Sequence, residues 1–212
     1  MPGGRLKTRP HLGSRRPRQT QCYHFRVSRA GYVLVGGRST RMGRDKASLP
    51  FRGGLLVESV AQAVRLAAGS AVLVGNPGAY ARLGFPAIAE LYPGEGPLGG
   101  ILTALSHTPA HWNVMVACDM PEITAEFLTT LIEAAEHSGA DALVPTGPSG
   151  RPEPLCAVYH RRAKRGLEAA FARGVRAVTA ALPAVRATLF PAPELSPFQN
   201  VNTPEEWAAH GS

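Results

Sequence analysis

Apolar residues follow two rhythms along this chain. Continuous apolar runs occupy 32–35 (YVLV), 71–74 (AVLV), 113–117 (NVMVA), 141–145 (DALVP) and 155–159 (LCAVY). Runs of this length between turn residues predict strands, and the unbroken run at 113–117 predicts a central one. Residues 88–90 predict a short edge strand and 185–190 a further strand. Elsewhere the spacing changes to three and four. Leu56, Val60, Ala63, Val64 and Ala67 place one apolar stripe on a helix over 55–68; Phe127, Leu128, Leu131, Ile132 and Ala135 do the same over 124–137, with Thr124 as its cap. Helices are also predicted over 101–106, behind a stiff Pro- and Gly-rich loop at 92–100, over 161–172 with a basic outer face, and over 175–181. A turn is expected at 49–54 (LPFRGG). Near the end, Thr203 caps a last helix, Pro204 takes its first position and Glu206 completes a capping box. Strands alternating with helices predict an α/β fold of three layers, αβα, around a mainly parallel sheet.

Composition changes this picture only at the start of the chain. The 212 residues suffice for one well-buried core. The formal charge of +8 invites a nucleic-acid reading, yet residues 1–29 carry eight of the 23 Lys/Arg and none of the 15 Asp/Glu, so the remainder is balanced. The predicted organisation is therefore a basic, disordered extension over 1–29 and a single domain over 30–212, with no nucleic-acid footprint on the folded part. The leader lacks the apolar core of a secretory signal peptide; an organellar transit peptide, a nucleic-acid tail and an upstream start all remain open for it. No uninterrupted apolar stretch reaches a membrane span. Cys22, Cys118 and Cys156 are far apart and odd in number, which fits neither a disulfide scaffold nor a clustered zinc site and makes a reducing cytoplasm the simplest setting.

The chemistry concentrates in Gly31–Lys46, GYVLVGGRSTRMGRDK. A strand feeding Gly36 and Gly37 presents backbone N–H groups that an anion can approach closely, and Arg38, Arg41, Arg44 and Lys46 add cationic groups. The spacing is neither G-x-G-x-x-G nor a P-loop, but it points to polyphosphate. Asp119 leaves the C-terminal tip of the predicted central strand in C-D-M-P. A carboxylate there, facing a polyphosphate loop, suits Mg²⁺, which takes oxygen ligands and often only one or two carboxylates besides phosphates. Asn76 follows the strand at 71–74, where open α/β sheets bind ligands, although Asn-Pro is also a common turn pair. The helix entered from the 92–100 loop offers an anion-binding N-terminus. Asn200 and Asn202 carry amides suited to a heteroaromatic ring, to a phosphate or to a tight turn.

The glycine-rich segment resembles the loop LAGG-x-S-x-RMG-x-DK of the molybdenum cofactor guanylyltransferase family, within the NTP-transferase superfamily. Leu34, Gly36, Gly37, Ser39, Arg41, Met42, Gly43, Asp45 and Lys46 match it, with Val35 in place of the usual alanine. Further matches follow in order: Gly96, Pro97, Leu98, Gly100 and Ile101 in G-P-L-x-G-I; Cys118, Asp119 and Pro121 in C-D-x-P; Arg151, Pro154, Leu155, Ala157 and Tyr159 in R-x-x-P-L-x-A-x-Y; and 198–205 in F-x-N-x-N-T-P-E. The resemblance implies a Rossmann-like nucleotidyltransferase fold. It also implies transfer of GMP from GTP to the phosphate of Mo-molybdopterin, forming Mo-molybdopterin guanine dinucleotide and pyrophosphate. It assigns Leu34, Gly36, Gly37, Lys46, Asn76, Gly96, Pro97 and Leu98 to the nucleotide and Asp119 to Mg²⁺. Arg151, Pro154, Asn200 and Asn202 fall to the acceptor. Glu90 stands where the family usually has an aspartate near the nucleotide. A monomer in the cytoplasm is expected, with transient contacts to proteins that handle the molybdenum cofactor.

Such a reaction needs Asp119, Arg41 and Lys46 as its catalytic groups, with Asp45 orienting Lys46 or lying behind the metal. No nucleophile–base pair is expected, because the acceptor phosphate is already anionic. A CTP-dependent enzyme acting on the same pterin, or one acting on a sugar phosphate, would share the first loop and Asp119. A non-catalytic nucleotide-binding homologue is the remaining alternative, motivated by Glu90 alone.

Overall fold

The structure is a computed structural model that describes residues 29–35, 49–147, 149–192 and 198. Its chain begins with strand β1 (Arg29–Leu34), a hairpin of β2 (Pro50–Phe51) and β3 (Gly54–Leu55), helix α1 (Leu56–Ala68) and β4 (Val72–Gly75). Next come a single turn of helix, α2 (Pro77–Tyr80), then β5 (Ala87–Ala89), α3 (Pro97–His107), β6 (Trp112–Ala117) and α4 (Ala125–Ser138). The chain continues through β7 (Ala142–Thr146), β8 (Cys156–His160), α5 (Ala163–Ala172), α6 (Val178–Ala181) and β9 (Ala187–Pro191).

Seven strands form one sheet in the order β5-β4-β1-β6-β8-β7-β9. Every neighbouring pair is parallel except those that β8 makes with β6 and with β7. This is the mainly parallel αβα arrangement that the apolar pattern predicts. Alternation along each strand divides the core in two. Val33, Leu73, Val114, Val116, Leu143 and Val158 face α1 and α4. Tyr32, Leu34, Val74, Met115, Val144 and Tyr159 face α3, α5 and α6. Since both faces of β1 and β6 are covered, Tyr32–Leu34 and Val114–Ala117 are apolar residue after residue, and this is why those strands are easy to read in the sequence.

The structure refines the sequence expectation at several places. Arg29 belongs to β1, not to the basic extension: its guanidinium donates to both carboxylate oxygens of Glu136 on α4, at 2.6 and 2.7 Å. The turn at 49–54 closes into a two-residue hairpin, with Arg52 and Gly53 both at positive φ (45° and 83°). Helix α3 starts at Pro97, four residues before the predicted start at 101. Pro97 occupies a first-turn position that needs no N–H donor. The two glycines after Leu98 are helical because the helix packs too closely for side chains: a Cβ on Gly99 would lie 3.1 Å from the Tyr92 carbonyl, and one on Gly100 would lie 3.3 Å from Leu34 Cδ2.

At the N-terminal end of β7, Asp141 accepts hydrogen bonds from Arg162 Nε and from Arg186 Nη2, the latter at 3.2 Å. Burial pushes its carboxyl up, but the bonds from Arg186 and Arg162 outweigh this and bring the pKa down to about 2. A depressed folded-state pKa contributes stability that is present above the unfolded value near 4 and lost as pH falls toward 2. Both arginine side chains are more than a third exposed, so solvent screens the pair. Asp141→Asn is accordingly expected to cost about 1–2 kcal/mol at pH 7 and low salt. The difference from the parent should shrink between about pH 4 and pH 2, as read by urea unfolding at each pH.

Candidate active site

β1, β4 and β6 end at the same edge of the sheet, and their ends are tied together. The Leu34 carbonyl accepts from Cys118 N at 3.2 Å, Val35 N donates to the Val74 carbonyl at 3.0 Å, and Tyr80 Oη donates to the Val35 carbonyl at 2.9 Å. The backbone is thus pinned between β4 and β6 up to the residue before Gly36. The glycine-rich loop itself, including Gly36, Gly37, Arg41, Asp45 and Lys46, lies outside the described residues, as do Asn200 and Asn202.

Asp119 is half-buried two residues beyond β6, next to the β1 exit. Helix α4 is capped by Thr124, whose Oγ1 accepts from Phe127 N at 3.2 Å, so capping does not account for Asp119. The 146–154 loop returns to the same place. A bridge pairs Thr146 with Pro152, Glu153 N donates to the Pro145 carbonyl at 2.9 Å, and Ala117 N donates to the Leu155 carbonyl at 2.7 Å. These bonds bring Glu153 into the electrostatic field of Asp119. Burial raises the Glu153 pKa, the Arg151 guanidinium lowers it, and the Asp119 carboxylate raises it again. Glu153 joins the candidate site residues from the structure alone. Its signal was a carboxylate between two prolines, in a loop entering the strand that pairs with β6.

The remaining predicted residues divide by what they present. Leu34 and Leu98 are buried, with side chains in the core cluster around α3, so they shape the floor under the strand ends. Pro154 is buried too, and its carbonyl is fixed by Tyr159 Oη at 2.7 Å. Asn76 is exposed at the end of β4 and its Oδ1 accepts from Gly78 N at 3.0 Å; the carboxamide oxygen serves the turn into α2. Glu90 follows β5 and is half-buried, with its pKa raised by burial. The next residue is tied to α3, Leu91 N donating to Thr103 Oγ1 at 3.0 Å and Thr103 Oγ1 to the Gly99 carbonyl at 2.8 Å. Gly96 precedes the helix at φ 84°, a conformation that favours glycine. Arg151 is exposed at the loop tip.

The sheet order therefore sorts the predicted residues. Asn76, Glu90 and the α3 N-terminus lie toward β4 and β5, Arg151, Glu153 and Pro154 lie toward β8 and β7, and Asp119 stands between them. Among the described residues no group of three or more His, Cys, Asp or Glu could hold a metal ion. A carboxylate at Asp119, with Glu153 within its electrostatic reach, nonetheless offers the oxygen chemistry that suits Mg²⁺, an ion that completes its shell with water and substrate phosphates. The two carboxyl groups fit poorly to zinc, which prefers a fuller set of nitrogen and sulfur ligands. Cys156 is fully buried and its thiol is pushed far up by burial, so it is inert as a nucleophile. Glu153→Gln, which keeps the shape and removes the charge, is expected to raise the Mg²⁺ concentration for half-maximal activity about five- to twentyfold. A Mn²⁺ binding titration followed by electron paramagnetic resonance checks this without turnover.

A Rossmann-like sheet of this order, with a glycine-rich segment after β1 and a carboxylate after β6, is the framework of a nucleotidyltransferase enzyme. A family model for the MobA-like NTP transferase domain matches residues 31–186, and the chain belongs to that family. A probable molybdenum cofactor guanylyltransferase of Deinococcus radiodurans is 33% identical over 176 residues, covering 83% of this chain and 90% of its own. A molybdenum cofactor guanylyltransferase of Xanthomonas euvesicatoria pv. vesicatoria is 35% identical over 188 residues, covering 84% and 92%. Among solved structures, molybdopterin-guanine dinucleotide biosynthesis protein A from Archaeoglobus fulgidus superposes with a TM-score of 0.73 at 30% identity, covering 85% of this chain and 96% of that one. No helix among the described residues is long and apolar enough to cross a membrane.

Proposed function

We propose that the protein transfers GMP from GTP to the terminal phosphate of Mo-molybdopterin, forming Mo-molybdopterin guanine dinucleotide and releasing pyrophosphate. The observation that carries this reading is the placement of Asp119 between two sets of residues, one beside the α3 N-terminus and one on the loop before β8. Full-length relatives named for this activity support it.

A phosphate oxygen of the acceptor attacks the α-phosphorus of GTP, and the bond to the β-phosphate oxygen breaks with its electron pair leaving on pyrophosphate. The nucleophile is anionic at neutral pH, so no general base is needed and no covalent intermediate forms. The demand on the protein is to hold two anions in line and neutralise them. Asp119 is the residue that would hold Mg²⁺, with the Glu153 carboxylate beside it; the ion, when bound, supplies positive charge between the phosphates. Gly36 and Gly37 contribute backbone N–H groups, and Arg41 and Lys46 stabilise the charge on departing pyrophosphate. Asp45 orients Lys46. On the nucleotide side stand Leu34, Asn76, Glu90, Gly96, Pro97 and Leu98. On the acceptor side stand Arg151, Pro154, Asn200 and Asn202. The enzyme acts as a cytoplasmic monomer that meets cofactor-handling proteins transiently.

The test is pyrophosphate release by the purified protein with Mg²⁺ and Mo-molybdopterin, comparing GTP, CTP and ATP. Release that requires both GTP and the acceptor is expected. Release with CTP alone would replace the guanylyltransferase reading with a cytidylyltransferase one, and release with no nucleotide would remove both.

A further inference from the structure

The loop that leads into α3 is gripped from outside the sheet. Arg176, in the connection between α5 and α6, places its guanidinium Nε 2.5 Å from Glu95 Oε2. Its Nη1 donates to the carbonyls of Phe171 at 2.8 Å and Val175 at 3.1 Å, and its Cζ lies 4.0 Å from the centre of the Phe171 ring. The Phe171 ring meets the Tyr92 ring with centroids 4.7 Å apart. Tyr92 is also the residue whose Cβ and carbonyl leave no room for a side chain on Gly99. At the other end of the loop, a Cβ on Gly96 would touch the Arg176 carbonyl at 3.5 Å. One short stretch, Phe171 to Arg176, therefore holds both ends of the 92–96 loop, and that loop fixes where the first N–H groups of α3 point.

An exposed ion pair by itself would do little, since the Arg176 and Glu95 side chains are 40% and 50% exposed. Three features make this more than an ion pair. The guanidinium is shared between a carboxylate and two carbonyls, its Cζ lies over an aromatic ring, and that ring is packed against the loop. Only arginine has the planar fork that serves all of these together; lysine could keep the Glu95 contact and lose the rest.

We propose that Arg176 is a positioning residue for the nucleotide: acting through Glu95, Phe171 and Tyr92, it holds the N-terminal turn of α3 where GTP is bound. This rests on the nucleotide assignment made above for Gly96, Pro97 and Leu98. Because the Arg176 guanidinium is engaged by Glu95, Phe171 and Val175, its loss should weaken binding of the nucleotide more than it slows turnover at saturation.

The experiment compares the parent protein with Arg176→Gln and Arg176→Lys by calorimetric titration of GTP with Mg²⁺, by steady-state kinetics, and by amide hydrogen exchange without ligand. The expected result is a three- to tenfold rise in Kd and KM for GTP in both variants, with kcat changed less than twofold. Exchange should speed up over 92–101 and stay unchanged in β1 and β6. Full recovery with lysine would reduce the contact to an ion pair and overturn the proposal. Faster exchange with an unchanged Kd would also overturn it, by showing a clasp that the nucleotide does not use. If the parent protein itself bound no GTP, the functional reading would fall and the positioning role with it; the exchange data would still report separately whether the clasp holds the loop.

Discussion

Asp119→Ala is expected to lower pyrophosphate release by about three orders of magnitude while leaving the fold intact. The proposed reaction brings an anionic phosphate against a triphosphate, and nothing among the described residues offers a larger set of metal ligands to take over. If Asp119 and Glu153 hold the ion together, removing Asp119 strips out half of the protein's hard oxygen donors and leaves Glu153 as the remaining anion. The fold should tolerate the change because Asp119 lies after β6, is half-buried, and is not the cap of α4; Thr124 supplies that. Asp119→Asn separates charge from shape. If the carboxylate holds Mg²⁺, the asparagine variant should be nearly as inactive as the alanine one, and raising the Mn²⁺ concentration should recover part of the activity in either. Equal activity of parent and Asp119→Ala at saturating Mg²⁺ would dismiss the metal role outright. The thermal midpoint, measured beside the rate, distinguishes lost chemistry from lost structure.

How much of this could be read from the sequence depends on how local each signal is. β1 and β6 announce themselves because burial on both faces makes Tyr32–Leu34 and Val114–Ala117 continuously apolar, and α1 and α4 because each turns a single stripe to the core. The start of α3 was misplaced for a reason of the same kind. Pro and Gly in 96–100 read as a loop by intrinsic preference, but helix packing against Leu34 and Tyr92 demands residues without side chains, and tertiary contact overrides propensity. The hairpin of β2 and β3 is too short to show any period. Asp119 was visible because it follows a strand directly and sits in a family motif. Glu153 was not, because its link to Asp119 is made by the antiparallel pairing of β6 with β8, which no local pattern encodes. Arg176 is hidden still more deeply: its partners, Glu95 in the loop before α3 and Phe171 within α5, meet only when α3 and α5 pack together.

Lys46→Ala is expected to lower kcat for pyrophosphate release about a hundred- to a thousandfold, with a much smaller change in the affinity for GTP. The residue lies outside the described part of the structure, so the expectation rests on charge and on chain connection. Backbone hydrogen bonds hold the chain in place as far as Val35, and Asp45 and Lys46 follow it by ten and eleven residues in the sequence. In the ground state the triphosphate's charge is spread over three groups and shared with Mg²⁺. In the transition state charge builds on the bridging oxygen and the leaving pyrophosphate, and a cation aimed there is worth more than one that merely binds GTP. Loss of a single donor of this kind costs about 3–4 kcal/mol in comparable sites. Lys46→Arg tests placement against charge: a guanidinium carries the same charge on a bulkier, planar group, and it should recover less than a tenth of the rate if the ammonium is aimed at one oxygen. If instead Lys46 only solvates the loop, the alanine variant should raise KM for GTP and spare kcat, and added salt should bring the two proteins together. A kcat loss that persists at high salt would assign Lys46 to the departing phosphate. If Asp45 orients Lys46, Asp45→Asn should then produce the same kcat loss in smaller measure.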